Sequence, residues 1–389
     1  MKSDVSRKLS SGNKPLARRI LTALGITALA FMLSFFLTSP FSASVSALFS
    51  SPEKADFVMS DLFAQVADSR PVRHLDHRIT IVDIGIADRY AIAEGLQTLA
   101  GMKPKAVGLD VNFAYPTEDD SFLLQSLQEV PHLILPVTVD MADSSGYRLA
   151  EVPFFYGELN GPEYAVANLA GTSRYSTIRH MSPSFSLNDG SSIPSFAAAL
   201  AGKAGIVTHT DDDGKKLIKY HSREFSTITL AEIADRPDLI NDRIVIVGAL
   251  SDASDMHATP VNHYMAGMLI HAYSLATMLD GSDFHEIPEQ ADYILAFLVC
   301  FVLVWTTLTI TNRIKGLLLR ITQVVFLYLA VRIGYSMYVD HSTVINFQYT
   351  FLMIAFGLFA VDIWNGISEI ILFCKSRISS LLKLSTSNV

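Results

Sequence analysis

Arg78-Ile-Thr-Ile-Val-Asp-Ile84 and Lys105-Ala-Val-Gly-Leu-Asp-Val-Asn-Phe113 are two short apolar stretches, each delivering an aspartate near its end. Both are rich in β-branched and aliphatic residues, which suit a buried pleated surface, and between them Ile92 to Met102 repeats its apolar residues at helical spacing. Together they read as a βαβ unit. Leu133 to Val139 and Arg243-Ile-Val-Ile-Val-Gly248 add two more runs with the near-continuous hydrophobicity of parallel strands covered on both faces. The fold class that follows is α/β, with a mixed, mostly parallel sheet flanked by helices.

Half of the 389 residues are apolar, which is unusual for a soluble α/β enzyme. Between Ser44 and Gln290 acids outnumber bases by about sixteen, while both ends and one short internal loop are basic. The formal charge of -8 therefore averages an acidic outer domain with basic segments flanking a membrane. No basic patch with interleaved aromatics occurs, which argues against a nucleic-acid partner. Cys300 and Cys374 are the only cysteines and lie in or beside apolar runs, so the outer domain has neither a disulfide nor a cysteine metal site. Its core has to stabilise it unaided, and a domain of roughly 240 residues is large enough for that.

The predicted order is a basic cytoplasmic N-terminus at 1–19, a first span at 20–40, an outer domain at 44–288, spans at 291–311, 316–337 and 344–364, and a cytoplasmic tail at 365–389. Lys2, Arg7, Lys8, Lys14, Arg18 and Arg19 precede the first span and hold that end inside. Arg313, Lys315 and Arg320 mark the hinge between the second and third spans as inside too, whereas Asp340-His-Ser-Thr343 carries no Lys or Arg. Small residues at Ala43, Val45 and Ala47 leave a cleaved signal peptide as the alternative reading of the first span. In both readings the domain from Ser44 is exported. The tail, with Ile367, Ile370, Ile371, Ile378, Leu381 and Leu382 among Lys375, Arg377 and Lys383, either extends the last helix or lies along the inner leaflet. Arg332 and Asp362 sit near opposite ends of their spans, where snorkelling accommodates them.

Within the outer domain, Asp56 to Ala67 reads as an amphipathic helix turning Phe57, Leu62, Phe63 and Val66 inward. Tyr147 to Met181 reads as antiparallel strands inserted into the sheet, Lys216 to Tyr220 as a strand, and Thr227 to Arg236 as a helix capped by Thr227. Asp211-Asp-Asp-Gly214 lacks the ligand spacing of a calcium loop and reads as a solvated turn.

Parallel strands place Asp83 and Asp110 on neighbouring strands at the carboxyl edge of the sheet, where open α/β sheets bind ligands; Asn112 follows on the same edge. Two carboxylates there form an acid/base pair, hold a cation or accept ligand hydrogen bonds, or else they cap loops or pair with Arg78 or Arg89. Asp255, His257 and Thr259 come to the same edge in the loop after the fourth strand. With His263 and His271 nearby a metal is chemically conceivable, but the spacing fits no standard zinc pattern, and a loop locked by His257 and stiffened by Pro260 is the simpler reading. No Walker loop, Gly-x-Gly-x-x-Gly turn or Gly-x-Ser-x-Gly elbow is present, so neither a nucleotide cofactor nor a serine hydrolase is expected.

Ile81-Val-Asp-Ile84, Pro104-Lys-Ala-Val-Gly-Leu-Asp-Val111, Asp119-Asp120, Asn241-Asp-Arg-Ile-Val-Ile-Val-Gly248, Asp255-Met-His-Ala-Thr-Pro260 and Gly267-Met-Leu-Ile-His-Ala272 occur in an order that resembles the type 2 CHASE domain. This is a sensory extracellular domain of bacterial receptors, usually with one span before it and three after. The resemblance implies a non-enzymatic inner-membrane sensor, multi-pass and periplasmic in its sensory part, with no cofactor. In the family a cyclase or kinase commonly follows the last span. Here roughly twenty-five residues follow Trp364, too few for such a domain, so a separate membrane or cytoplasmic partner is expected to read the signal. The resemblance implies self-association as well. Two rivals stand beside it: an accessory scaffold subunit of an envelope complex that binds protein, and a periplasmic hydrolase using Asp83, Asp110 and the Asp255 to His257 loop.

Overall fold

The computed structural model describes residues 2–386 apart from 39–57, 72, 114, 144–145, 151, 153, 162, 170–175, 207–213, 282–283, 310–314 and 346. Phe57, most of the Asp211 to Gly214 turn and the basic hinge around Arg313 lie outside the described residues. The chain forms two units, Asp61–Phe284 and a second composed of Met1–Ser60 with His285–Val389.

The outer unit is built on six strands: β1 (His74–Asp83), β2 (Ala106–Asp110), β3 (Leu133–Val137), β4 (Glu163–Val166), β5 (Arg223–Thr229) and β6 (Ile244–Gly248). Helices are numbered through the whole chain: α1 (Lys2–Thr38), α2 (Met59–Asp68), α3 (Arg89–Ala100), α4 (Asp120–Glu129), α5 (Phe196–Lys203), α6 (Gly267–Leu279), α7 (Glu289–Thr309), α8 (Lys315–Asp340) and α9 (Gln348–Thr386).

The strands run in the order β5-β1-β6-β2-β3-β4, and all of their pairings are parallel. Alternation along each strand divides the core. Ile79, Ile81, Ile244, Ile246 and Ile134 face α5 and α6, while Val82, Val107, Leu109, Val245, Val247 and Leu135 face α3 and α4. A sheet buried on both faces explains the unbroken aliphatic runs in the sequence. Gly108 is part of this packing, since a Cβ there would stand 2.7 Å from Phe196 and 2.8 Å from Leu200.

The sheet corrects several expectations. Among the described residues it contains no inserted antiparallel strand: Glu163–Val166 pairs parallel at the edge, and the antiparallel pairs, such as Val139–Asp143 with Gly146–Leu149, form separate ribbons. Lys216 and Leu217 form one such ribbon with His180 and Met181, and the strand of the main sheet is Arg223–Thr229. Thr227 therefore lies inside a strand, and Thr229 forms the capping box with Glu232 at the start of a 3-10 turn, Leu230–Asp235. On α2 Phe63, Ala64 and Ala67 are buried but Leu62 and Val66 are exposed, so the inward face is rotated from the one expected.

At the amino end of β1 lies a compact charge network. Asp76, only 2 % exposed, accepts hydrogen bonds from the Arg78 backbone N–H (3.0 Å), Arg78 Nε (2.9 Å) and the guanidinium of Arg223. Both arginines also reach Asp280, the residue that ends α6, Arg78 at 2.8 Å. Burial alone would raise the Asp76 carboxyl; the hydrogen bonds and charge of Arg78, then the charge of Arg223, outweigh it and hold Asp76 below the usual carboxylate range.

Among its described residues the second unit has four helices long and apolar enough to cross a bilayer, with apolar windows at Leu16–Phe35, Gln290–Thr309, Arg320–Asp340 and Tyr349–Ile378. Ala23, Ile26 and Ala30 of α1 pack with Ala296, Cys300 and Val304 of α7 and Met353, Ala360 and Val361 of α9. Small residues bring the backbones close, as lipid-embedded helices require: a Cβ on Gly357 would stand 3.2 Å from Cys300 Sγ. Gln323 of α8 donates to the Ile354 carbonyl of α9 at 3.0 Å. Of the two readings of the tail, the helical one is observed, because α9 runs on to Thr386 without a break.

Candidate functional site

In this sheet Asp83 and Asp110 are not neighbours. β6 lies between their strands, and the register aligns Asp83, Gly248 and Asp110 across the carboxyl edge. The glycine is required there, because a Cβ on Gly248 would meet Asp110 O at 3.0 Å and Met268 Sδ at 3.3 Å. β1 and β2 lead into α3 and α4 on one face, whereas β6 leads into α6 on the other. Loops diverging to opposite faces open a crevice at the strand ends, the usual ligand position in such sheets.

That crevice is a cleft of about 760 Å³. Ile84, Ile86, Val111, Pro136 and Val137 give it apolar walls, and its polar groups include Asp110, Asn112, Thr138, Asp252, Asp255 and His271. Among the described residues no lysine or arginine lines it. Asp110 makes no hydrogen bond or ion pair among the described residues. Burial raises its carboxyl above the ordinary range; His271 and His257 pull it down, and Asp255 pushes it up. His271, 5 % exposed on α6, packs its ring against Phe196 with centroids 5.1 Å apart, and its nitrogens carry no hydrogen bond among the described residues.

The other expected residues divide between cleft and scaffold. Asp83 Oδ1 accepts from the N–H groups of Gly85 and Leu250, both at 3.0 Å, and so ties the loop after β1 to the loop after β6. It pairs with neither Arg78, which is held by Asp76 and Asp280, nor Arg89, which pairs with Asp120. Thr259 is 3 % exposed and closes its own turn, accepting from Asn262 N–H and donating to Asn262 O. His257 Nε2 lies 3.0 Å from Asp255 Oδ1, while Asp255 Oδ2 accepts the N–H of Gly267 at 3.1 Å. Asp255 thus caps α6 from twelve residues upstream, where Ala266 at the N-cap position has no side chain able to do so. Thr138 and Asp252 went unmarked in the sequence; only Asp252 carried a signal there, as the first residue of an Asp-x-Ser turn that it closes onto Ser254.

Gly267 is the tightest point of this cap, because a Cβ would fall 2.3 Å from Asp255 Oδ2. Gly267→Ala is expected to expel the carboxylate, cost about 1–2 kcal/mol and free the His257 ring. Thermal unfolding and the NMR shifts of the His257 imidazole check this; a variant as stable as the parent would show that Asp255 does not cap α6.

In the membrane unit, residues 285–292 are bonded to the loop before α9. His285 N–H donates to Ser342 O at 2.8 Å and Ile287 N–H to Val344 O at 2.9 Å. Asp292, 2 % exposed, accepts the Tyr349 N–H at 3.2 Å and the Thr350 hydroxyl at 2.8 Å. It supplies a cap to the first turn of α9, whose N–H groups have no partners within the helix.

A parallel α/β domain with a strand-end cleft, carried on apolar helices, defines a membrane-anchored receptor module. The CHASE2 domain model matches residues 36–310, and the chain belongs to that family. CHASE2 domains are non-catalytic sensory modules, and this is a multi-pass membrane protein with an extracytoplasmic sensor domain and a general role in relaying signals. No curated protein and no solved structure matches the chain.

Proposed function

We propose that the strand-end cleft receives the signal in the periplasm of a bacterial inner-membrane protein, and that α6 and residues 280–292 carry its effect to α9, which passes it to a separate membrane or cytoplasmic partner. The observation that supports this most is α6 itself. Its amino end meets the cleft through His271 and the Asp255 cap, and its carboxyl end is held through Asp280 by two arginines. Eleven of its thirteen residues are buried, so a shift at one end is transmitted through packing rather than absorbed by solvent. A ligand biases the receptor to the extent that it prefers one arrangement of this helix over another. Arg18 and Arg19, in the first turn of the first apolar window, with Lys2, Arg7, Lys8 and Lys14 ahead of it, support a cytoplasmic N-terminus.

The test places a photo-cross-linking residue at Phe373, exposed on α9, in the full-length protein in cells, with and without Ala167→Trp, which fills the cleft. The cleft-filled protein is expected to change the yield of a specific cytoplasmic adduct several-fold. Identical adducts and yields would remove the cleft from the signalling path.

A second reading rests on the rim of the same edge. Ile86, Tyr115 and Tyr264, in loops that follow β1, β2 and β6, are 103 %, 78 % and 79 % exposed. Large exposed side chains grouped by topology suit a protein ligand, as an accessory subunit would have. Cross-links from Tyr115 to one envelope protein, with no cytoplasmic adduct at Phe373, would favour it.

A further inference from the structure

We infer that the cleft selects a small organic cation, with a primary ammonium group bound by Asp110, His271 and Asn112 and a short apolar stem lying on Ile84, Ile86, Val111 and Pro136. The inference rests on the reading of this cleft as the receiving site and adds the chemistry of its ligand. The polar groups of the lining are not equivalent. Asp252 is spent on Ser254, and Asp255 on Gly267 and His257. Asp110 and Asn112 have no partner among the described residues. Neither has His271, which is 95 % removed from solvent and borders the cleft. Asp110 and His271 therefore present polar atoms to the cleft that no described residue engages, so a group entering the cleft meets an open hydrogen-bonding position on each.

The identity of that group follows from donor and acceptor counts. An ammonium brings three N–H donors and one positive charge. The Asp110 carboxylate and the Asn112 amide oxygen are acceptors for two of them, a His271 ring nitrogen takes the third in the tautomer that leaves it without a proton, and Asp110 supplies the opposing charge. An anion would meet carboxylates, with no lysine or arginine among the described residues of the lining. A polyol would satisfy hydrogen bonds but leave the carboxylate charge uncompensated in a partly apolar cleft. A divalent metal needs more ligands than the site brings together, since no group of three His, Cys, Asp or Glu side chains is placed to hold one among the described residues.

The test is calorimetric titration of the full-length protein in detergent with cadaverine and spermidine, and with 1,5-pentanediol and glutarate as neutral and anionic counterparts. Cadaverine or spermidine is expected to bind the parent, at least tenfold more weakly to Asp110→Asn, with neither control binding. Asp110→Asn keeps the shape of the side chain and removes a charge that burial disfavours, so it is expected to unfold at a higher temperature than the parent, which separates lost binding from lost structure. Binding of the diol or the diacid as tight as the diamine, equal diamine binding by Asp110→Asn, or no amine binding at all would overturn the ammonium assignment. None of these outcomes touches the wider reading of the cleft, which stands or falls on the Ala167→Trp cross-linking.

Discussion

Arg223→Ala is expected to lower the unfolding temperature of the outer domain by about 10 °C. Asp76 is 2 % exposed and Arg223 is 9 % exposed, and Arg223 is one of the two cations facing that carboxylate. Removing one member of a buried ion network leaves an uncompensated charge at a cost of about 3–5 kcal/mol. In a domain of this size each kcal/mol moves the midpoint by about 2–4 °C. The same change frees one side of Asp280 and loosens the carboxyl end of α6. Adding Asp76→Leu to Arg223→Met removes the stranded charge and is expected to restore much of the loss; equal stability of the parent and Arg223→Ala would show that the network contributes nothing. The pH dependence has a definite sign. The folded-state carboxyl of Asp76 lies below its unfolded value, so its contribution is complete above the ordinary carboxylate range and disappears as pH falls through the depressed value.

The second large effect comes from His221, which is 5 % exposed. Burial, then the positive charges of Lys219, Arg70 and Arg223, push its imidazole down to about 4. In the unfolded chain the same ring protonates near its ordinary value of about 6.5. Between those values the unfolded state binds more protons, so stability is full above about pH 6.5 and falls as the medium acidifies toward 4. From pH 7.5 to pH 5 this one group is expected to remove about 2 kcal/mol, measured by urea unfolding at each pH. His221→Gln should flatten that segment of the profile, and an unchanged slope would reassign the acid sensitivity to other groups.

Strands β1, β2, β3 and β6 were legible because a strand buried on two faces leaves an aliphatic run that nothing else in the chain resembles. β5 was not, because it lies at the edge and five of the seven residues of Arg223–Thr229 are polar; Thr227 imitates a helix cap until the pairing with β1 is known. Strand order is equally hidden. That β6 inserts between β1 and β2 is a long-range choice, and it turns two supposedly adjacent aspartates into flanks of a glycine. For the site, residue type and loop position brought Asp110, Asn112 and Asp255 to the edge that carries the cleft. They could not separate Asp83 and Thr259, which spend their oxygens on local backbone, from Asp110, which spends none. That distinction depends on hydrogen-bond partners distant in sequence, such as Leu250 for Asp83.

The unbroken course of α9 has a mechanical consequence. Its thirty-nine residues make a rod of about 58 Å, nearly twice the apolar thickness of a bilayer, and its amino end is pinned by Asp292. A rod held at one end is a lever. A tilt of about 5° at the pinned end, small enough to need only side-chain rearrangement among α1, α7 and α9, sweeps the far end sideways by about 5 Å. That is roughly the width of a helical turn, the scale on which a docked protein changes which residues it touches. Amplitude is thus gained from length alone.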